Sequence, residues 1–257
     1  QTVDRVGVWS IAETRQYVAN QFGQAQLELV TPSLNALAKR QDYARYHYQE
    51  VLRLLGAFQH SHLSAEPLLM VVFGEDRSAR GEFELVMTQI GAHALACVMS
   101  IHAIADVMAF AIHQTLGYGL RPSAPRERDV SAQSVQAALQ RTPAHIPLAE
   151  LLAKLCADPN YKHVAALANK SKHQGLVKPS LNEDMLGTRQ DRHQVRFLAF
   201  KHGSKFYPET ELGALLEPAY KAASQVVVDV GNQLNAVLAM NAVKFSPNAG
   251  TGRESQG

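Results

Sequence analysis

Cysteine is scarce: two residues in 257, Cys97 and Cys156, with no CxxC pair and no His/Cys metal spacing. That excludes a disulfide scaffold and a structural zinc site. Charge of one sign is equally sparse, because 25 Lys and Arg against 23 Asp and Glu leave a net +2. Attraction of the whole chain to nucleic acid or anionic lipid is therefore weak, and such a partner has to be read from local charge. Neither GxxxxGKS/T nor GxGxxG occurs and the glycines are scattered, which excludes a phosphate-cradling loop. HExxH and GxSxG are also missing, removing the simplest zinc-protease and hydrolase readings. Disorder is excluded for the bulk of the chain, since 46% of residues are hydrophobic and only 19% charged.

What is present is helical patterning. Residues 94–112 (ALACVMSIHAIADVMAFAI) are long enough to cross a bilayer, but His102 and Asp106 lie near the middle. A carboxylate at that depth costs about 2.5–3.5 kcal/mol, so a buried helix over residues 83–116 is expected, with no membrane partner. Residues 11–30 read as a shorter helix. Ser33 then caps a second long helix following Pro32, with an apolar stripe of Leu34, Leu37, Tyr48, Val51, Leu52, Leu55 and Phe58. Residues 67–73 read as a buried connector or short strand, and 120–128 as a Pro- and Arg-rich loop.

Further helices follow over 131–140, 148–156 and 159–173, the last opened by Asp158 and Pro159. Residues 192–207 carry β-branched and aromatic residues around His202, Gly203 and Ser204, the one clear hairpin signal. Residues 212–240 return to helix with a break expected at Pro218, and 246–257 form a polar tail. The fold class expected is mainly α: a helical bundle around a long central helix with one small β-hairpin. It occupies residues 1–245 as one domain, with N-terminal helices at 11–60, a core at 83–240 and a disordered tail. Apolar settings for both cysteines and a polar start without a signal pattern point to a reducing, cytoplasmic setting.

Charge is uneven along this chain. Residues 162–205 hold nine basic side chains against three acidic ones, so the remainder carries a net −4. A phosphate-binding face has this composition, and so does a solvated basic surface. Within and beside it lie two polar pairs. On the central helix His102 and Asp106 are one turn apart, where a carboxylate would orient the imidazole and raise its pKa; a satisfied buried pair is the structural alternative. Asn169 and His173 are likewise one turn apart, with Lys170 and Lys172 between them, and no carboxylate lies between Asp158 and Glu183. There the lysines would hold an anion while the imidazole moved a proton, or the histidine would simply complement a helix C-terminus. His60 and His62, an i,i+2 pair in an expected surface loop, do not share a helix face. The run Tyr43, Tyr46, His47 and Tyr48 would stack on bases or bridge core and solvent. No metal and no cofactor is expected.

Residues 161–177 (YKHVAALANKSKHQGLV), with their Asn169-x-x-Lys172-His173 motif, follow a long helix bearing Ser100, His102 and Asp106 and precede a hairpin and a last helix. In this order of elements the chain resembles the HEPN superfamily over roughly residues 83–240. The resemblance implies an all-helical homodimer directed at RNA, in many members a metal-independent endoribonuclease whose composite site pairs an Arg with a helix-borne His. Residues matching that role are His173 and Asn169, with His102 and Asp106 contributing, and Lys170, Lys172, Lys178, Arg189 and Arg192 as the RNA-contacting cations. No arginine occurs between Arg141 and Arg189. A lysine does not reproduce the bidentate guanidinium clamp. Two functions therefore stay open: an RNA-directed protein, catalytic or degenerate, with a companion protein as one source of the missing arginine; or a noncatalytic helical dimerisation or interaction module.

Overall fold

A computed structural model describes residues 8–64, 66–189 and 191–245. The expected tail at 246–257 lies outside the described residues. The chain is 74% helical, with eight α-helices among the described residues and small antiparallel strand pairs.

The first helix, α1 (Ile11–Phe22), starts where the Ser10 hydroxyl accepts from the Glu13 N–H at 3.3 Å. It ends at Gly23, whose φ of 84° lets the chain turn straight into α2 (Gln24–Phe58). Here one expectation fails: Ser33 opens no helix, because α2 runs through Pro32. Proline removes one backbone donor there. Hydroxyls on either side turn back onto the helix instead, Thr31 Oγ1 donating to the Leu27 carbonyl at 2.7 Å and Ser33 Oγ to the Val30 carbonyl at 2.8 Å. The helix continues into a π-turn, Gln59–Leu63, so His60 and His62 belong to a helical segment and not to a loop. Residues 67–73 also depart from expectation, forming the helix α3 (Leu68–Phe73); the Glu183 carboxylate accepts from its first N–H, Leu68, at 2.9 Å.

The central helix α4 (Arg77–Thr115) begins six residues before the expected start, because Asp76 caps it by accepting from Ser78 and Ala79 N–H at 2.8 and 3.2 Å. At 1.5 Å per residue it is about 58 Å long. By length and composition it alone, among the described residues, could cross a membrane; 56% of its most apolar 18-residue window is buried in the protein. The helix α2 packs along it, and the last helix, α8 (Leu212–Phe245), packs against both. Leu34, Leu37 and Val51 of α2 meet Ile90, Val98, Ile101 and Met108 of α4 in the fully buried core.

After Gly117 (φ 65°) the Pro- and Arg-rich segment forms two short 3-10 turns. Three helices follow: α5 (Ala132–Leu139), capped by a Ser131–Ser134 box, α6 (Ile146–Ala157), and α7 (Pro159–His173), capped by Asp158 accepting from Tyr161 N–H at 2.8 Å. The β region is larger than one hairpin. Strands β1 (Pro179–Glu183), β2 (His193–Phe197) and β5 (Thr210–Glu211) form an antiparallel sheet in the order β1-β2-β5. The predicted hairpin is β3 (Phe200–His202) with β4 (Lys205–Tyr207), turning at Gly203 (φ 58°). Finally α8 (Leu212–Phe245) passes through Pro218 without the expected break.

Candidate anion-binding face

Helix α7 runs back along α4. Tyr161, near its start, donates its hydroxyl to the His102 carbonyl at 2.7 Å, and Pro179, just beyond its end, lies 3.5 Å from where a side chain on Gly91 would begin. Val164, Leu167 and Ala168 are fully buried. The 100° step of a helix then fixes where the polar residues go. Lys172 falls about 20° from Tyr161 and therefore on the α4 side. Asn169 and His173 come about 80° and 120° round, and Lys170 about 180°, toward the far side.

That divides the predicted site. Lys172 is close enough to His102 for its ammonium to act on the imidazole. Burial lowers the His102 pKa, Lys172 lowers it further, and Asp106 opposes both without prevailing. The expected rise is thus reversed: His102 is half-buried, the Asp106 carboxylate is exposed, and no hydrogen bond joins them, so the charged imidazole loses more hydration than the carboxylate returns. His173 is exposed and makes no hydrogen bond or ion pair with His102, Asp106 or Asn169, which is half-buried.

Of the predicted cations, Arg192 is neutralised: its guanidinium meets the buried Glu183 carboxylate at 2.6 Å. That pairing holds β1 to β2 and serves α3 through the same carboxylate. Arg189 donates to Gln194 Oε1 at 3.4 Å, and Lys170 to Gln174 Oε1 at 3.5 Å. Lys172 and Lys178 are exposed. Among the described residues none of these four, Lys170, Lys172, Lys178 and Arg189, has a carboxylate within ion-pair distance.

Next to the Lys170 side of α7 sits the β3–β4 hairpin. Its inward rings, Phe200 and Tyr207, stack on each other at 4.9 Å and pack against His163 of α7 at 5.6 and 4.9 Å. Strand alternation then sends Lys201 and Phe206, which are direct cross-strand partners, to the solvent side. Phe206 is 57% exposed. Lys205 lies over the Tyr207 ring at 5.0 Å and, after burial, is the second influence lowering the His163 pKa. No acidic residue lies between Asp191 and Glu209. The hairpin was legible as structure, but its outward Lys201 and Phe206 were not read as a site; the alternation in FKHGSKFY carries that signal.

No group of three or more His, Cys, Asp and Glu that could hold a metal exists among the described residues. One close pair of rings is His47 with His93, whose Nδ1 atoms are 2.9 Å apart. Their ring centroids are 5.2 Å apart, the spacing of two rings aimed nitrogen at nitrogen. One N–H is therefore shared between them, and their lone pairs do not converge on a third atom. Tyr43 and Tyr46 of the same segment are exposed, while Tyr48 donates to Glu217 at 2.7 Å.

No family model, no curated protein and no solved structure matches this chain.

Proposed function

We propose that the chain is an HEPN-like protein that binds single-stranded RNA without cleaving it, through the outward face of the β3–β4 hairpin that packs on α7. The observation that carries this is the outward pair Lys201 and Phe206, with Lys205 on the same hairpin, in a stretch free of acidic residues. An exposed ring among ammonium groups gives a base something to stack on and its phosphates something to pair with. Cleavage would need a second acid–base group and a phosphate clamp beside His173. His102 is half-buried on the neighbouring helix with no hydrogen bond to the exposed His173, and no arginine accompanies His173.

Fluorescence anisotropy with a single-stranded RNA tests the reading. Binding is expected to weaken with salt, by a log–log slope of about 0.7 for each phosphate contacted. Phe206→Ala is expected to lower affinity by about 1–3 kcal/mol at any salt concentration, and Lys201→Gln to reduce the salt slope. Affinity that ignores both salt and Phe206→Ala rules the reading out. Incubation with RNA in EDTA should leave it intact with wild type and His173→Ala alike; cleavage lost in the variant would restore the catalytic function.

A second reading, a helical interaction module, rests on the groove of about 510 Å³ between α3, α4 and β1, where Leu69, Phe73 and Met185 are more than half exposed. Contiguous exposed apolar surface of this kind favours a protein partner. Self-association abolished by Phe73→Asp, together with no RNA binding, would select it.

A further inference from the structure

A recess open to solvent lies apart from the RNA-binding face. Between α2, α4 and α8 lies a cavity of about 300 Å³, at the lower end of the volumes that hold small ligands. Its floor is built from small or apolar residues that are almost wholly buried: Ala44, Cys97 and Leu216. Leu52 and Tyr220 make the walls. Burial among carbon atoms pushes the Cys97 thiol up to about 12, so it enters the cavity as a neutral, apolar group.

One wall is rigid. Tyr48 donates its hydroxyl to Glu217 Oε1 at 2.7 Å, and that hydroxyl lies 2.8 Å from where a Cβ on Gly213 would be, so only glycine leaves room for it. The ring is thereby fixed across α2 and α8 instead of collapsing into the space. At the mouth stand three charges, Arg45, Lys221 and Glu217. The Glu217 carboxylate already accepts from Tyr48, Arg45 is shared with Asp42 at 3.0 Å, and Lys221 has no acidic partner among the described residues. An apolar chamber with one unclaimed ammonium group at its entrance complements a molecule with an apolar body and a single negative end.

We infer that this cavity binds a small amphipathic anion, an arylalkanoate or short branched carboxylate, with its hydrocarbon part over Cys97 and its carboxylate on Lys221. Glu217 and Tyr48 hold the wall and stay paired when the site fills. This inference is independent of RNA binding, because the cavity lies on α2, α4 and α8 and the basic face on the β3–β4 hairpin.

Isothermal titration calorimetry of the full chain with phenylbutyrate and with its uncharged counterpart phenylbutanol tests it. The carboxylate is expected to saturate a single site, and the alcohol to bind roughly tenfold more weakly, the effect of one charge-assisted hydrogen bond lost. Lys221→Gln should bring the carboxylate down to the alcohol's affinity. Cys97→Phe, which fills the chamber, should abolish binding of both while circular dichroism stays native; if it does not fold, Ala44→Leu, which fills the same floor from α2, takes its place. The inference is overturned by absence of saturable binding, by equal affinity for the two compounds, or by binding that survives in a folded cavity-filling variant.

Discussion

At His102 two neighbouring charges of opposite sign compete, and burial decides the outcome. The imidazole gives up hydration on the α4–α7 interface, Lys172 repels its proton, and Asp106, reaching into solvent, only partly compensates. Each influence can be removed singly. Lys172→Gln is expected to raise the His102 pKa toward the ordinary value of about 6.5, and Asp106→Asn to lower it further. Two-dimensional NMR of the imidazole resonances across a pH series reads both shifts; a Lys172→Gln protein with an unmoved His102 titration would contradict the placement of that lysine on the α4 side. From the spacing alone the pair was visible and its electrostatic sign was not. Asp106 is one turn away in sequence, whereas Lys172 arrives from a helix some seventy residues downstream, and how deeply the ring is buried depends on where Tyr161 lies. Arg192 illustrates the same limit: its charge counts in the sequence, but its partner Glu183 is across a strand pair.

Long helices were legible because apolar periodicity persists over many turns, and α7 was found with both ends correct because Asp158, Pro159 and Gly175 mark them. The errors fall where local residues are overruled by partners distant in sequence. Pro32 and Pro218 looked like breaks, yet tertiary packing carries both helices through. Strand β1, PSLNE, has little strand propensity of its own and is held by its pairing with β2. A comparable long-range device fixes α1 on α8. Trp9 Nε1 donates to Thr14 Oγ1 at 2.8 Å, Thr14 donates to Asn235 Oδ1 at 2.6 Å, and Asn235 Nδ2 reaches the Ser10 carbonyl and Glu13, both at 3.1 Å. Thr14 is fully buried and Asn235 nearly so. Replacing Asn235 by Leu leaves the Thr14 hydroxyl only the longer bond to the Ser10 carbonyl at 3.3 Å and removes both Asn235 Nδ2 bonds, so a loss of about 1–3 kcal/mol is expected in urea unfolding. Gly231, one turn away on α8, has the Trp9 indole where its Cβ would lie. Gly231→Ala should therefore destabilise by about 1–3 kcal/mol despite the better helix propensity of alanine. A gain in stability would show that Trp9 swings aside without penalty.

Across the molecule, His47, His102, His113, His145 and His163 are all displaced in one direction, toward the neutral form. Burial is the leading cause at each, and the second is a positive or protonatable neighbour: His93 for His47, Lys172 for His102, Arg121 for both His113 and His145, Lys205 for His163. Glu50 and Asp106 oppose the effect only at His47 and His102. In the unfolded chain these rings take up protons near pH 6.5; in the folded protein they resist. The unfolded state then binds more protons, so stability is fully present above about pH 6.5 and is lost as pH falls through the lowered folded values. Each group contributes a slope of at most about 1.4 kcal/mol per pH unit within its window. Urea midpoints at pH 7.5 and 5.5 isolate the histidines, because Glu50 and Asp184, lowered among the carboxylates, lose their contribution only as pH falls through the more acidic range. A loss of at least about 1 kcal/mol is expected at the lower pH. Arg121 acts on two of the five rings and its guanidinium also covers the Tyr118 ring at 3.9 Å, so Arg121→Met, which keeps an apolar stem there, should shrink that loss without removing it. Equal midpoints at the two pH values would mean that these imidazoles take up protons in the fold as readily as in the open chain, and that the helical interfaces around them are wetter than their burial implies.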